Sequence, residues 1–334
     1  MKPSFGLRAP SFPAGIGPEM LREFAVRSER SGLDSFWLPD HPQPVSGYYN
    51  FLRDDPVLEP LAALSYVAAV TQRIFLGTGV LLAPFRHPVM LAKEALTVQY
   101  LSQGRLLLGL GTGWFPEEFK MLGVPRNERG VRTDEAIDIM QLAFKGERFD
   151  YRGRIFTLEG VTINPHTKPP PRLWGAGGQG IGEYSAVGPE AALNPKVAAR
   201  IARLDGWLTR PTAGIEQIKS EWAQVKRVAQ EAGRDPGDIT LGHVNFVHFA
   251  EGSREQALAE QHKWFRRVLG EGASWERQQQ LYWTGSLDDM AERVQRLLDA
   301  GVRHIVLHPL APELEQVDLW AKGVLGRFGV KAST

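Results

Sequence analysis

Eight times along this chain a short apolar run gives way to a helical pattern, and that alternation leaves few folds open. The runs fall at 5–8, 35–39, 74–80, 105–110, 172–175, 206–209, 239–249 and 304–308. Helical patterns follow them at 18–31, 56–70, 87–101, 133–144, 196–204 and 215–231, then at 254–269 with 287–300, and at 314–325. Strands separated by helices pair in parallel and are covered by those helices. Eight such units in 334 residues match a (β/α)8 TIM barrel, whereas a doubly wound sheet usually stops near six strands. The expected fold is therefore α/β, one barrel domain over 1–334. Its lengthened loops are expected near 42–55, 146–171, 178–195 and 270–286, the second carrying a small hairpin with strands at 154–158 and 161–163.

Composition narrows the chemistry. The net charge is +1, which gives no electrostatic reason to expect nucleic acid or an anionic membrane. The chain has no cysteine, so disulfides, thiolate catalysis and iron–sulfur ligation are excluded. The longest apolar stretch, 74–85, is broken by Gly77, Gly79 and Pro84 and falls short of the ~20 residues that span a bilayer. The amino terminus lacks the apolar segment of a signal peptide, and a cytoplasmic location is expected.

A barrel of this kind carries its chemistry at the carboxyl ends of its strands. Those positions are Asp40-His41, Thr78-Gly79-Val80, Gly111-Thr112-Gly113-Trp114, Gly175 to Gly180, Thr209-Arg210, Asn245 and His308. Asp40-His41 is the sharpest pair, because an imidazole beside a carboxylate can hold or exchange a proton. Gly111-Thr112-Gly113 lets backbone approach a flat ligand closely, and Pro116-Glu117-Glu118 opens a helix behind it. The same glycines are not a dinucleotide fingerprint, since Pro116 stands where a third glycine is needed. Ala176-Gly177-Gly178-Gln179 offers unhindered backbone N–H groups that can wrap an anion. Arg129, Arg132, Asp134 and Glu135 are expected to cap and pair locally at a helix start. No HExxH motif or carboxylate cluster points to a metal.

The segments Gly32-Leu33-Asp34-Ser35-Phe36-Trp37, GTGVLLAPFRHPVMLAKE, GRLLLGLGTGW…RGVRTDE and Asp299-Ala300-Gly301-Val302-Arg303-His304 together resemble the bacterial-luciferase-like oxidoreductase superfamily of (β/α)8 barrels. Within it the chain is most similar to the group of probable coenzyme F420-dependent oxidoreductases. The resemblance implies that Asp40 and His41 lie beside the deazaflavin ring, with Asp40 orienting His41 and His41 near the hydride-accepting centre. It implies that Gly79-Val80 forms a bulge, often with a cis peptide, behind the ring. It places Gly111, Thr112 and Gly113 along the ring and Ala176, Gly177, Gly178 and Gln179 around the phosphate. Trp37, Tyr48, Tyr49 and Trp114 are candidates for the substrate wall, and Arg53, Arg86 and Arg210 for the acidic cofactor tail. Trp114 stands where the sugar-phosphate dehydrogenases of the group carry a glutamate, which favours an apolar or aromatic substrate. The resemblance leaves three functions open: an F420-dependent oxidoreductase, an FMN-dependent monooxygenase using oxygen with a partner flavin reductase, and a flavin-binding protein without turnover. It also implies a homodimer.

Overall fold

The computed structural model describes residues 2–10, 16–43, 57–178, 193–270 and 273–332. Among them a parallel sheet closes on itself as a barrel. Its strands are β1 (Ser4–Arg8), β2 (Ser35–Leu38), β3 (Phe75–Thr78) with β4 (Leu81–Leu82), β5 (Leu106–Gly111), β8 (Arg172–Ala176), β9 (Gly206–Thr209), β10 (Thr240–Val247) and β11 (His304–Pro309). A two-stranded antiparallel hairpin, β6 (Phe149–Arg152) with β7 (Thr157–Val161), stands outside it. Barrel neighbours follow chain order, β1 pairs with β11, and pairing of β3 with β5 completes the ring. The third barrel strand is broken: β3 pairs with β2 and β5, the chain leaves the ladder at Gly79-Val80, and β4 rejoins β5 through Leu81 opposite Leu110.

The helices are α1 (Pro18–Arg30), α2 (Pro60–Val70), α3 (Pro88–Leu101), α4 (Pro116–Met121), α5 (Arg129–Ala143), α6 (Pro195–Ile201), α7 (Ile215–Glu231), α8 (Arg254–Leu269), α9 (Trp275–Leu281), α10 (Leu287–Asp299) and α11 (Glu315–Asp318). Proline opens α1, α2, α3, α4 and α6, where its missing N–H has no helical partner to lose. Ser253 with Gln256 and Ser286 with Asp289 form capping boxes at α8 and α10. At the opposite face of the barrel from the strand ends, buried Arg105 bonds the carbonyls of Ala68 and Thr71 at 3.0 Å each, meeting the acceptors left over where α2 stops. None of the helices described is long and apolar enough to cross a membrane.

Two tryptophans fill the barrel interior. Trp37 and Trp174 pack edge to face at 5.8 Å between ring centres, among Leu107, Leu208 and Val306. Their rings occupy the space of missing side chains: a Cβ on Gly77 would stand 2.1 Å from Trp37, and one on Gly206 would stand 2.3 Å from Trp174. A second apolar cluster, Phe246, Phe265, Val268, Leu269, Tyr282 and Leu310, joins β10 and β11 to the excursion that carries α8 and α9.

Four local expectations shift. The hairpin strands lie at Phe149–Arg152 and Thr157–Val161 instead of 154–158 and 161–163. The Glu135 carboxylate accepts hydrogen bonds from the backbone N–H groups of Arg154, Ile155 and Phe156, which makes that stretch the turn. Helix α5 begins at Arg129, four residues before the expected 133. The final helix is α-helical only over Glu315–Asp318 and then widens into a π-helical stretch, Leu319–Val324. The loop near 270–286 contains α9, which Ser274 caps by accepting from the Arg277 N–H.

Candidate active site

A cavity of about 320 Å³ opens at the carboxyl ends of the strands. It gathers Asp40 and His41 beyond β2, Gly79 and Val80 at the break of the third strand, and Gly111, Thr112, Gly113 and Trp114 beyond β5. Ala176, Gly177 and Gly178 beyond β8 complete that side. The Gly79–Val80 peptide is cis. Val80 leans against β5 so closely that a Cβ on Gly111 would lie 2.6 Å from its side chain.

The two members of the Asp40-His41 pair serve different partners. Asp40 is buried, and Arg86 grips both of its oxygens, Nη1 to Oδ2 at 2.5 Å and Nη2 to Oδ1 at 3.1 Å. Its Oδ2 also accepts the Leu82 backbone N–H at 2.7 Å, so the carboxylate fixes β4 against the end of β2. The expectation that Asp40 orients His41 is therefore corrected. The group at His41 Nδ1 is Glu118 Oε1, 2.8 Å away on α4. Sequence reading took Glu118 only as part of an acidic helix start, and its distance of 77 residues from His41 hid the contact.

The Ala176–Gly178 loop is shaped by its surroundings. Gly177 has φ of +138°, a conformation that side chains resist, and its carbonyl accepts the Trp207 indole N–H at 3.1 Å. A Cβ on Gly178 would stand 2.1 Å from Arg210 Nη1. Arg200 from α6 and Arg210 from the end of β9 both line the cavity. Each is steadied from behind, Arg200 by Asp134 at 2.7 Å and Arg210 by Glu221 at 3.1 Å. Asp134 thus does more than cap its own helix, while Arg132 pairs locally with Glu128 at 2.9 Å. Gln179 lies outside the described residues, as do Tyr48, Tyr49 and Arg53.

Among the substrate-wall candidates, Trp114 lines the cavity. Trp37 does not: it is fully buried below, its indole N–H bonded to Ser35 Oγ at 2.6 Å, because the side chains of β2 at that level point into the barrel. The tail candidate Arg86 is committed to Asp40 and to Glu59. Thr209 lines the cavity and lies 2.7 Å from His243 Nδ1, Asn245 donates to the Pro211 carbonyl at 2.7 Å, and His308 packs 4.9 Å from the Phe246 ring. Sequence reading missed Arg8, Leu208, Val244 and Phe246 as cavity walls. The parity of Arg8 with Gly6 on β1 was the available signal for the first of these. Below the cavity, burial together with the nearby charge of Arg172 pushes the His304 imidazole down to about 3. Burial and Arg293 do the same to His243, also to about 3.

A family model described as luciferase-like monooxygenase matches residues 5–308. An F420-dependent glucose-6-phosphate dehydrogenase of Kineococcus radiotolerans is 29% identical over 90% of this chain and 89% of its own. A limonene 1,2-monooxygenase of Rhodococcus erythropolis is 29% identical over 71% of this chain and 57% of its own. In fold, the chain is similar to an F420-dependent secondary alcohol dehydrogenase solved with an F420-acetone adduct. The TM-score is 0.80, with 19% identity, over 98% of this chain and 99% of the other.

Proposed function

The chain belongs to the luciferase-like monooxygenase family, and from that premise we propose that it is a coenzyme F420-dependent oxidoreductase acting on a small apolar organic substrate. One observation carries this reading: a single cavity unites an imidazole, a loop of one alanine and two glycines flanked by two guanidiniums, and an apolar wall. The loop fits a phosphate-bearing cofactor, since backbone N–H groups and fixed guanidiniums are what a phosphate recognises. Bound there, F420 supplies a carbon centre that takes up or releases a hydride. Ala176, Gly177 and Gly178 with Arg200 and Arg210 would hold its phosphate, and Gly79-Val80 with Gly111 to Gly113 would pack along its ring.

The chain's own groups do the rest. His41 at the cavity edge holds or moves the proton that accompanies hydride transfer. Val80, Leu82, Trp114, Leu208, Val244 and Phe246 exclude water and select an apolar substrate. Titration of the purified protein with F420 and with FMN, each followed by fluorescence, tests the reading, and tighter binding of F420 is expected. Binding of FMN alone would replace it with a second reading, an FMN-dependent monooxygenase with a partner reductase. The similarity to the limonene 1,2-monooxygenase favours that alternative.

A further inference from the structure

We propose that Glu118 is the positioning residue of the site, fixing which nitrogen of His41 carries the proton. The proposal rests on the reading of His41 as the group that exchanges the substrate proton. His41 Nδ1 and Glu118 Oε1 are 2.8 Å apart. The Glu118 side chain is 0% exposed, whereas His41 keeps 13% of its side chain accessible at the cavity. With the Glu118 carboxylate accepting, a neutral imidazole carries its proton on Nδ1 and leaves Nε2 bare. Glu118 Oε2 is buried and makes no hydrogen bond among the described residues. Asp40, the nearer carboxylate in sequence, is taken up by Arg86 and by the Leu82 N–H.

The helix that carries Glu118 is held in place by its next residue. Phe119 packs on Phe85 with ring centres 4.7 Å apart. It also sits so close under Gly113 that a Cβ there would stand 2.9 Å from the Phe119 ring. The Glu118 carboxylate is thereby locked to the same backbone that borders the cavity. Oxidation of an alcohol to a ketone releases a hydride from carbon, for which bound F420 would be the acceptor, and a proton from the hydroxyl. Nε2 takes it up when substrate is oxidised and returns it when substrate is reduced. The positive charge formed on the imidazole then lies against a carboxylate shielded from water, where a charge-assisted hydrogen bond is strong.

The experiment is long-range ¹H–¹⁵N spectroscopy of the histidine rings in the full chain, with the His41 signals identified by their loss in His41→Gln. The expected parent spectrum shows protonated Nδ1 and bare Nε2. Glu118→Leu should release the ring to a mixture of both tautomers, and Glu118→Gln, which keeps one acceptor oxygen, should largely restore the parent pattern. With the apolar alcohol or ketone that the parent converts fastest, Glu118→Leu should lower kcat by about tenfold to a hundredfold while KM changes little. A parent ring protonated on Nε2, or ring signals unmoved in Glu118→Leu, would overturn the assignment. Altered ring signals with undiminished kcat would sustain Glu118's hold on the ring and overturn the role of His41 in turnover. The spectra are read without cofactor, so they decide the Glu118 assignment whichever cofactor the titration favours.

Discussion

Arg86 closes a bidentate grip on Asp40, 2.5 Å and 3.1 Å across the two pairs of atoms, at a position where Asp40 is 5% exposed. Removing one member of such a buried pair leaves the other charge uncompensated, at a cost of roughly 3–5 kcal/mol. Arg86→Ala should therefore destabilise the fold by about 3 kcal/mol in urea denaturation. The double variant with Asp40→Asn should recover much of the loss. A single variant as stable as the parent would mean the pair contributes nothing.

His41→Ala should leave folding and F420 affinity nearly intact while reducing turnover by about 10²-fold or more, the scale of a positioned acid or base. Steady-state kinetics beside a cofactor titration separate the two effects. Equal turnover in the variant would demote His41 to packing.

Gly177→Val meets a backbone at φ +138°, which a β-branched residue adopts only under strain. Losing one phosphate bond, about 1.5–3 kcal/mol, should raise the F420 dissociation constant by roughly tenfold to two hundredfold. The loop lies outside the barrel core, so melting of the cofactor-free protein should change far less than cofactor affinity does. Normal affinity would shift the phosphate to Arg200 and Arg210.

Acid should weaken this fold earlier than carboxylates alone would. His243 and His304 are held neutral by burial, with folded values of about 3 against 6.5 in the open chain. The unfolded chain therefore binds their protons first. Their contribution is complete above pH 6.5 and is lost as the pH falls toward 3, by up to about 1.4 kcal/mol per pH unit for each ring. Urea midpoints at pH 7.5 and 5.0 measure this, and equal stability at both would contradict it.

A homodimer is expected through α2 and α3. Met90 and Leu101 lie three turns apart on one face of α3, each 55% exposed, with Tyr66 of α2 at 39%. Met90→Glu with Leu101→Glu should convert a dimer into a folded monomer in sedimentation. A parent that already sediments as a monomer at micromolar concentration would exclude this interface.

The barrel was legible because its strands are short apolar runs and five of its helices announce themselves with proline. Its mouth followed from the rule that chemistry gathers at strand ends, which is why Gly79, Gly111 and Gly177 could be named together. Partnerships across the mouth were not legible. Whether Asp40 or Glu118 meets His41 depends on how α4 docks through Phe119, and no local pattern encodes that docking. Trp37 misled for a related reason. An aromatic residue near a strand end can face the ligand or fill the barrel, and here Gly77 on the next strand leaves room only for the second.

Phe246 belongs to two neighbourhoods at once, lining the cavity on one side and packing with Tyr282 and Phe265 of the α8–α9 excursion on the other. His41 and Glu118, the pair proposed above to handle the proton, are delivered instead by β2 and α4. Redrawing the α8–α9 excursion would re-tailor the substrate wall through Phe246 without disturbing His41 or the phosphate loop, and a barrel built this way can change what it accepts while keeping how it reacts.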